Sequence, residues 1–483
     1  MNRNRVIIAV AALFCLCSCG PRAVNPVQSG TLPEIWPDYR FVTVPSCIAP
    51  LDFCMADESF TAYDVEASGG GRSVRARSKE AAIFPEKAWH ALLDACKGDS
   101  VYVKVRALGP DGWVEYEPFG IAVSTDGIDY GLNYRLIPPG YRNYGKMGIY
   151  ERELSSFRER ELISNTRFKG CVNCHCYNRC SPEDFSLHIR GAHGATIIRS
   201  GGVTDAYNTK TDSTSGFCVY PYWHPSGDYL VYSNNSTVQT FHVGAAKLIE
   251  VFDRSSDLQI YNLKTGELRS APSIKNPDLW ETFPSFSPDG RWIYFCSAEP
   301  QNVPLKVRDV RYRLCRVSFD PETGGVGSEV EILADIPDGS ISFPRPSFDG
   351  RFIMFALSDY GNFSIWHPES DLWILDLETG DCRSLDSANS SLADSYHNWS
   401  SNSCWFVLGS RRDDGAFTRA YICHISEDGT AAKPFLLPQK NPRKYYRAQM
   451  NSYNIPEFVS GPVKYDARSV SRLITSDERT PFL

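Results

Sequence analysis

The stretch that decides the fold is FPSFSPDGRWIYF at residues 283–295, a short aromatic segment, a Ser-Pro-Asp-Gly turn and an alternating apolar segment. A turn of this composition between two runs of period two predicts a β-hairpin, because Pro and Gly supply the dihedral angles that a tight turn requires. The pattern recurs as YPYWHPSGDYLVYS at 220–233, as FPRPSFDGRFIMF at 343–355 and, more weakly, as YHNWSSNSCWFV at 396–407. The C-terminal half therefore contains repeated hairpins of one kind.

A second hairpin follows the first in each repeat. Residues 258–268 match residues 372–382, and residues 313–324 and 421–429 are looser copies. Two hairpins per repeat form a four-stranded blade, the unit of a β-propeller. The repeats resemble the TolB-like family of propeller repeats over about residues 191–463, and this resemblance implies a closed ring of five or six blades. We therefore expect a mainly β protein in which Trp223, Phe286, Phe348 and Trp399 pack between blades.

The region before the repeats predicts a separate domain at residues 30–127. Strands are predicted at 38–43, 73–77, 101–107 and 113–123, with a Gly-Pro-Asp-Gly turn at 109–112 and one helix at 85–96. This pattern resembles the β-sandwich of immunoglobulin and fibronectin type III modules. Cys47 and Cys54 are either a local disulfide or two buried thiols.

Residues 128–190 are predicted to be a connector between the sandwich and the propeller. It includes a charged helix at 148–164 and a cysteine-rich segment, and residues 464–483 are predicted to be a C-terminal tail. The whole order of segments resembles lipoproteins of Bacteroidetes-type bacteria, which implies the architecture and no activity.

The most specific chemical motif is FKGCVNCH at residues 168–175. Cys-x-x-Cys-His is the spacing that attaches a c-type haem, so Cys171 and Cys174 are candidate thioether positions and His175 is a candidate ligand of the haem iron. His188 is the tentative second ligand, with His193 and Met147 as alternatives. Cys176 and Cys180 lie in the same segment, so a disulfide cluster or a zinc site is equally open.

The N-terminus predicts export and lipidation. A basic start at residues 1–5, an apolar run at 6–16 and the sequence LCSC at 16–19 resemble a bacterial lipoprotein signal, with residues 1–18 removed and Cys19 acylated, for example by palmitate. The apolar run is too short for a membrane span. We expect the protein to be anchored to the outer membrane, with the periplasmic face preferred over the cell surface.

Charge and missing motifs limit the function. A net charge of -7 without a long basic run argues against a nucleic-acid partner, and the chain has no Gly-x-Ser-x-Gly elbow of a hydrolase. Residues 410–415 (SRRDDG) with Arg419 either line the central channel or a face of the propeller, or form a structural salt-bridge network.

Together these patterns predict a lipid-anchored propeller that serves mainly as a protein-interaction platform in the cell envelope; a glycan or small ligand is an alternative partner. A haem-c electron-transfer protein and a cofactor-free scaffold with a disulfide or zinc cluster are the alternative functions. The sequence does not indicate catalysis.

Overall fold

The computed structural model describes residues 20–138, 145–212, 214, 216–241, 247, 249–464 and 466–482. These residues form two compact units. The first contains the chain up to Gly127 together with Pro438–Gln449, and the second contains Ile128–Leu437 and the chain from Met450 onward.

The first unit is built on one seven-stranded sheet. Its strands are β1 Val27–Gln28, β3 Thr43–Pro45, β5 Ala62–Gly69, β6 Arg72–Ser78, β7 Ser100–Gly109, β8 Gly112–Glu115 and β9 Phe119–Ser124; β2 Ile35–Trp36 and β4 Cys54–Met55 form a second, two-stranded sheet. The unit also contains helices α1 Glu86–Ala95 and α2 Pro442–Ala448. Helix α1 starts after Pro85 and buries Trp89, Leu92 and Leu93, so the predicted helix is confirmed.

The structure does not show the sandwich that the sequence predicts for residues 30–127. Strand β7 is ten residues long and pairs with β8 along one half and with β9 along the other, so both join the same sheet. Helix α1 packs against β5 and β6. The predicted turn between Gly109 and Gly112 is confirmed, because β7 ends and β8 begins at these residues.

The second unit consists of six sheets, which we number as blades I to VI. Blade I has β10 Gly131–Ile137, β11 Gly148–Glu153, β12 Glu159–Ser164 and β33 Ser452–Val459; blade II has β13 Cys171–Tyr177, β14 Phe185–Arg190, β15 Ala195–Ser200, β16 Val203–Asn208 and β34 Thr480–Pro481. Blade III has β17 Cys218–Trp223, β18 Tyr229–Phe241, β19 Ile249–Asn262 and β20 Leu268–Arg269; blade IV has β21 Trp280–Phe286, β22 Trp292–Ala298, β23 Arg313–Asp320 and β24 Gly325–Ala334. Blade V has β25 Ser340–Pro346, β26 Phe352–Ser358, β27 Asp371–Asp376 and β28 Cys382–Ser384; blade VI has β29 Asp394–Trp399, β30 Trp405–Ser410, β31 Arg419–His424 and β32 Phe435–Leu436. Helix α3 spans Ala467–Thr475.

The six blades form a closed ring. One strand of each blade, β33, β13, β17, β21, β25 or β29, contacts the corresponding strand of the next blade, and β29 contacts β33 again. This is the arrangement of a six-bladed β-propeller. Blade I closes the ring because it joins β10, β11 and β12 from the start of the unit to β33 near its end.

Residues 128–190 are not a connector. They supply three strands of blade I and the first two strands of blade II, so the propeller begins well before residue 191. The predicted helix at 148–164 is wrong, because Gly148–Glu153 and Glu159–Ser164 are strands. Their opposite charges pair across the strands, as in the 2.9 Å contact between Arg160 Nε and Glu151 Oε1, and not along a helix. The predicted tail at 464–483 contains α3, and β34 pairs with β16 of blade II.

The repeated turns have the predicted conformation. Gly227, Gly290 and Gly350 have φ values of 79°, 73° and 82° between the first and second strands of their blades. At Gly290 the backbone also lies against the His224 ring, where a Cβ would be 2.2 Å from Nε2. Only glycine meets both demands at this position.

Candidate functional site at the propeller axis

The innermost strand of each blade contains one bulge with a left-handed residue. These residues are Cys174, Tyr220, Phe283, Phe343, Tyr396 and Ile455, with φ between 41° and 54°. At each of them the register with the neighbouring strand shifts. The next residue is proline in four blades and histidine in the other two. Cys174-His175 therefore occupies the same blade position as Phe283-Pro284, which is a structural explanation for half of the Cys-x-x-Cys-His motif.

Aromatic side chains at these bulges close the centre of the ring. The ring centroids of Tyr220 and Phe283 are 4.6 Å apart, those of Phe283 and Phe343 are 4.1 Å apart, and those of Phe343 and Tyr396 are 4.9 Å apart. We call Tyr220, Phe283, Phe343 and Tyr396 the aromatic plug. Tilted and edge-to-face packing at these distances is favourable, so the plug is a fixed floor and not an open channel.

A cavity of about 290 Å³ lies at the axis, and Tyr220 and Tyr396 of the plug form part of its wall. Blades I, II, III, V and VI contribute to the lining. Its polar side chains are Arg135, Asn173, Arg190, Thr237, Gln239, Arg411, Thr418, Ser452 and Asn454, and its aromatic side chains are Tyr220, Phe363, Trp366 and Tyr396. We call this space the axial cavity.

Two of the arginines in the axial cavity are buried. Arg135 and Arg411 are each 8% exposed, and the Nε atom of each lacks a hydrogen-bond partner among the described residues. Arg411 lies over the Trp366 ring, 3.9 Å from its centroid, and Arg135 donates to Asn173 Oδ1. Burial lowers the pKa of Arg411 to about 10, so its guanidinium remains charged at neutral pH.

The predicted haem ligand His175 lies outside the axial cavity, in a pocket of about 20 Å³. Its side chain is 1% exposed, and its Nε2 is 3.5 Å from Glu457 Oε2. Burial lowers the pKa of His175 and raises the pKa of Glu457, which also accepts from Asn398 Nδ2 at 3.2 Å. At neutral pH both groups of this buried pair are therefore uncharged.

The other predicted haem residues have separate surroundings. His188 is 2% exposed, its Nδ1 is 3.0 Å from Thr196 Oγ1, and its ring packs against Phe217. Burial lowers the pKa of His188 to about 3. Cys171 Sγ is 3.7 Å from Arg135 Nη2. Met147 is buried, and His193 Nδ1 lies 2.7 Å from Asp477 Oδ1.

These positions do not fit a haem. The pocket at His175, at about 20 Å³, has room for about one water molecule, whereas small-ligand and cofactor pockets measure several hundred Å³. The strand carrying Cys171, Cys174 and His175 is also hydrogen-bonded into blade II, so its residues cannot move apart to admit a porphyrin without breaking the sheet. The assignment of Cys171, Cys174, His175 and His188 to a haem is therefore not supported by their surroundings.

A disulfide cluster and a zinc site are the two alternative interpretations of the cysteine-rich segment. In the described part of the chain, Cys47, Cys54, Cys176 and Cys180 are free thiols. Within the same part of the chain no three His, Cys, Asp or Glu side chains are grouped as a metal site would require. Cys176 and Cys180 are buried in the propeller, where burial raises the pKa of each thiol.

Residues 410–415 and Arg419 fulfil both of their predicted roles. Arg412 Nη2 is 2.8 Å from Asp394 Oδ1, and Arg419 Nη2 is 4.0 Å from Asp414 Oδ2. Arg411 instead lines the axial cavity.

The sequence analysis missed Arg135 and Arg190, which lie on blades I and II. No spacing could have revealed them, because only ring closure brings β10, β14 and the end of β30 to one cavity.

The predicted lipidation site Cys19 lies outside the described residues. Across the described part of the chain, no helix is both long enough and apolar enough to cross a membrane.

Comparison with known proteins yields structural similarities only. No family model and no curated protein matches the chain. An oligogalacturonate lyase in complex with manganese is 13% identical with a TM-score of 0.37, covering 64% of this chain and 74% of that one. Puromycin hydrolase is 11% identical with a TM-score of 0.37 (64% and 46% covered), and the Myceliophteria thermophila Cps50 (Swd1) β-propeller domain is 14% identical with a TM-score of 0.34 (68% and 94% covered). At these TM-scores the similarities carry no information about a ligand or an activity.

Proposed function

We propose that the protein is a lipid-anchored, extracytoplasmic, TolB-like propeller that captures a ligand in its axial cavity. The observation that carries the proposal is a cavity of about 290 Å³ whose wall comes from five blades and includes Tyr220 and Tyr396 of the aromatic plug. This volume is at the lower end of the range for small-ligand sites, and the mixture of aromatic and convergent polar groups is typical of them. The interaction platform that the sequence predicts thereby acquires a specific site.

The location of the cavity also supports binding. Ring closure fixes the inner strands and their bulges. The wall residues Arg135, Asn173 and Asn454 lie on strands that are hydrogen-bonded within their sheets, so their backbone positions are fixed as well. A preformed site of this kind loses little conformational entropy on binding. The strands β18 and β19 extend beyond the other hairpins and add Thr237, Gln239, Ile249 and Val251 to the wall.

A cavity-filling variant tests this proposal. Gln239 is exposed on β18 and lines the cavity, so Gln239→Trp fills space without overpacking the core. We expect wild-type protein to show a higher Tm with at least one class in a panel of acidic, neutral and basic saccharides and metabolites, because a ligand that binds only the folded state stabilises it. The variant should lose at least about tenfold in affinity for that class.

Thr240→Trp is the matched control for this experiment. Thr240 is the next residue of the same strand and does not line the cavity, since the side chains of successive strand residues point to opposite faces. It should bind as the wild type does. Binding that survives Gln239→Trp, or no stabilisation by any class, would contradict the proposal.

Intact mass measurement of the protein purified from its native membrane tests the anchor and the haem together. Because the lipoprotein signal ends at Cys19 and the pocket at His175 has no room for a porphyrin, we expect a chain that begins at Cys19, carries acyl groups and has no haem increment. Cys19→Ala should remove the acyl mass and release the protein from the membrane. A haem increment lost in Cys171→Ala with Cys174→Ala would refute the structural account of the motif.

A further inference from the structure

We infer that the ligand of the axial cavity is a small acid with at least two anionic groups, such as carboxylates, sulfates or phosphates, bound by Arg135, Arg190 and Arg411. This inference rests on the proposed function, because it names the ligand class of the same cavity. The observation behind the inference is the charge of the side chains that line the axial cavity.

Among the described residues of the wall, three side chains are cationic and none is acidic. Arg135, Arg190 and Arg411 line the cavity, and neither Asp nor Glu is among the lining residues. Within the described residues none of the three arginines forms an ion pair with a carboxylate. The residues that the structure does not describe include no Asp or Glu, so none of them has a carboxylate side chain that could pair with these arginines.

Two carboxylates close to lining residues, Asp253 and Asp414, are already engaged. Asp253 accepts from Thr237 Oγ1 at 2.7 Å, from Asn235 Nδ2 at 2.7 Å and from Asn362 Nδ2 at 2.6 Å. Asp414, beyond Arg411, accepts from the backbone N–H groups of Ala416 and Phe417 and lies 4.0 Å from Arg419. Neither lines the axial cavity.

A buried guanidinium without a countercharge is unfavourable in the ligand-free protein. Removing a charge from water costs several kcal/mol unless an opposite charge and hydrogen bonds replace the lost solvation. Arg135 and Arg411 are each nine-tenths buried with an unpartnered Nε–H, so the folded protein bears this cost at two positions. An anion that accepts from these donors would compensate both charges.

The arginines are also held in place for such a ligand. Asn173 Oδ1 accepts from Arg135 Nη1, and the Trp366 ring supports the Arg411 guanidinium at 3.9 Å. Planar guanidinium groups recognise carboxylate, sulfate and phosphate through paired N–H donors. The two buried arginines come from different blades, which favours a ligand with two separate anionic groups over a single small ion.

The test uses the full chain in detergent and isothermal titration with citrate, glucose 1,6-bisphosphate and inorganic pyrophosphate, and with glucose as the uncharged match of the bisphosphate. We expect at least one acid to bind and glucose not to bind. Arg135→Gln and Arg411→Gln should each weaken binding about tenfold or more, since a hydrogen bond to a charged group contributes about this factor. Arg411→Lys should restore only part of the affinity because it keeps the charge and loses the paired donors.

Arg316→Gln is the matched control. Arg316 also lies over a tryptophan, 4.3 Å from the Trp292 centroid, but it has its own partner in Glu331 at 2.8 Å and does not line the cavity. Its substitution should leave binding unchanged. Arg411→Met should raise the Tm of the ligand-free protein, because it removes a buried charge that forms no ion pair among the described residues, and this result would also show that the variant folds.

The outcomes separate this inference from the proposed function. If a neutral ligand binds, is blocked by Gln239→Trp and is unaffected by the arginine variants, the cavity is the binding site but the acidic ligand class is wrong. If acids bind equally well to Arg411→Gln and Arg135→Gln, they bind elsewhere and the inference is wrong. If none of the three acids binds and Arg411→Met lowers the Tm, the charge argument itself fails.

Discussion

Truncation after Asn451 is expected to abolish cooperative folding of the whole propeller. The truncated chain lacks β33, which forms the inner strand of blade I, pairs with β10 and contacts the inner strands of blades II and VI. It also loses the fully buried side chains Tyr453, Phe458 and Val459. Each contributes about 1.5–3 kcal/mol. Their sum is comparable to the total stability of a typical domain, about 5–15 kcal/mol.

Urea unfolding followed by far-UV circular dichroism, together with limited proteolysis, measures this effect. Truncation after Ser476 is the matched control, because it retains β33 and removes β34 and Phe482, which stacks on Tyr261 at 3.7 Å. This shorter truncation should lower the midpoint while keeping one cooperative transition. A chain ending at Asn451 that unfolds with the wild-type midpoint would show that the ring closes without β33.

The second large effect is a pH dependence of stability that originates at Glu281 in blade IV. Glu281 is 1% exposed and its Oε2 has no hydrogen-bond partner among the described residues. Burial, reinforced by the nearby Asp257, raises the pKa of Glu281 to about 8. Its usual value is about 4.3. Between these two values the folded state holds a proton that the unfolded state has released. The contribution of Glu281 to stability is therefore fully present below about pH 4.3 and is lost progressively as the pH rises from there through about 8.

Substitution of Glu281 by Gln should remove this dependence. The free energy of unfolding of the wild type should fall relative to that of Glu281→Gln by up to about 1.4 kcal/mol per pH unit within this window. Buried histidines such as His397, whose pKa burial lowers to about 3, oppose the trend below neutral pH, but they are common to both proteins and cancel in the difference. Urea titrations of both proteins from pH 5 to pH 9 would measure it, with Glu281→Asp as the control that keeps a titratable carboxyl. A difference that is independent of pH would contradict the assignment.

The propeller could be predicted where the repeats are contiguous. Blades III, IV and V each carry an aromatic-Pro bulge and a turn glycine in one stretch of chain, such as Phe283-Pro284 with Gly290. Blade I could not be recognised this way because its strands come from residues 131–164 and 452–459. Blade II could not be recognised because its bulge has Cys174 followed by His175. At the same position the other blades have an aromatic residue or isoleucine, followed by proline or histidine.

The candidate site was even less accessible to sequence reasoning. The Cys-x-x-Cys-His spacing indicated a cofactor, but what a motif binds depends on the room around it, and the pocket at His175 is about 20 Å³. The arginines that line the larger cavity have no common motif. Arg411 was noticed only because it stands in a charged run, whereas Arg135 and Arg190 are single cations on strands of two blades.

A crystal structure of the protein with the tightest-binding acid from the titrations would show whether the axial cavity takes a small acid. We expect one acidic group of the ligand within hydrogen-bond distance of Arg135 and another within hydrogen-bond distance of Arg411, with the ligand body between Tyr220, Tyr396 and Trp366. An acid bound outside the ring axis, or Arg135 and Arg411 both paired with carboxylates of the protein in that structure, would contradict it.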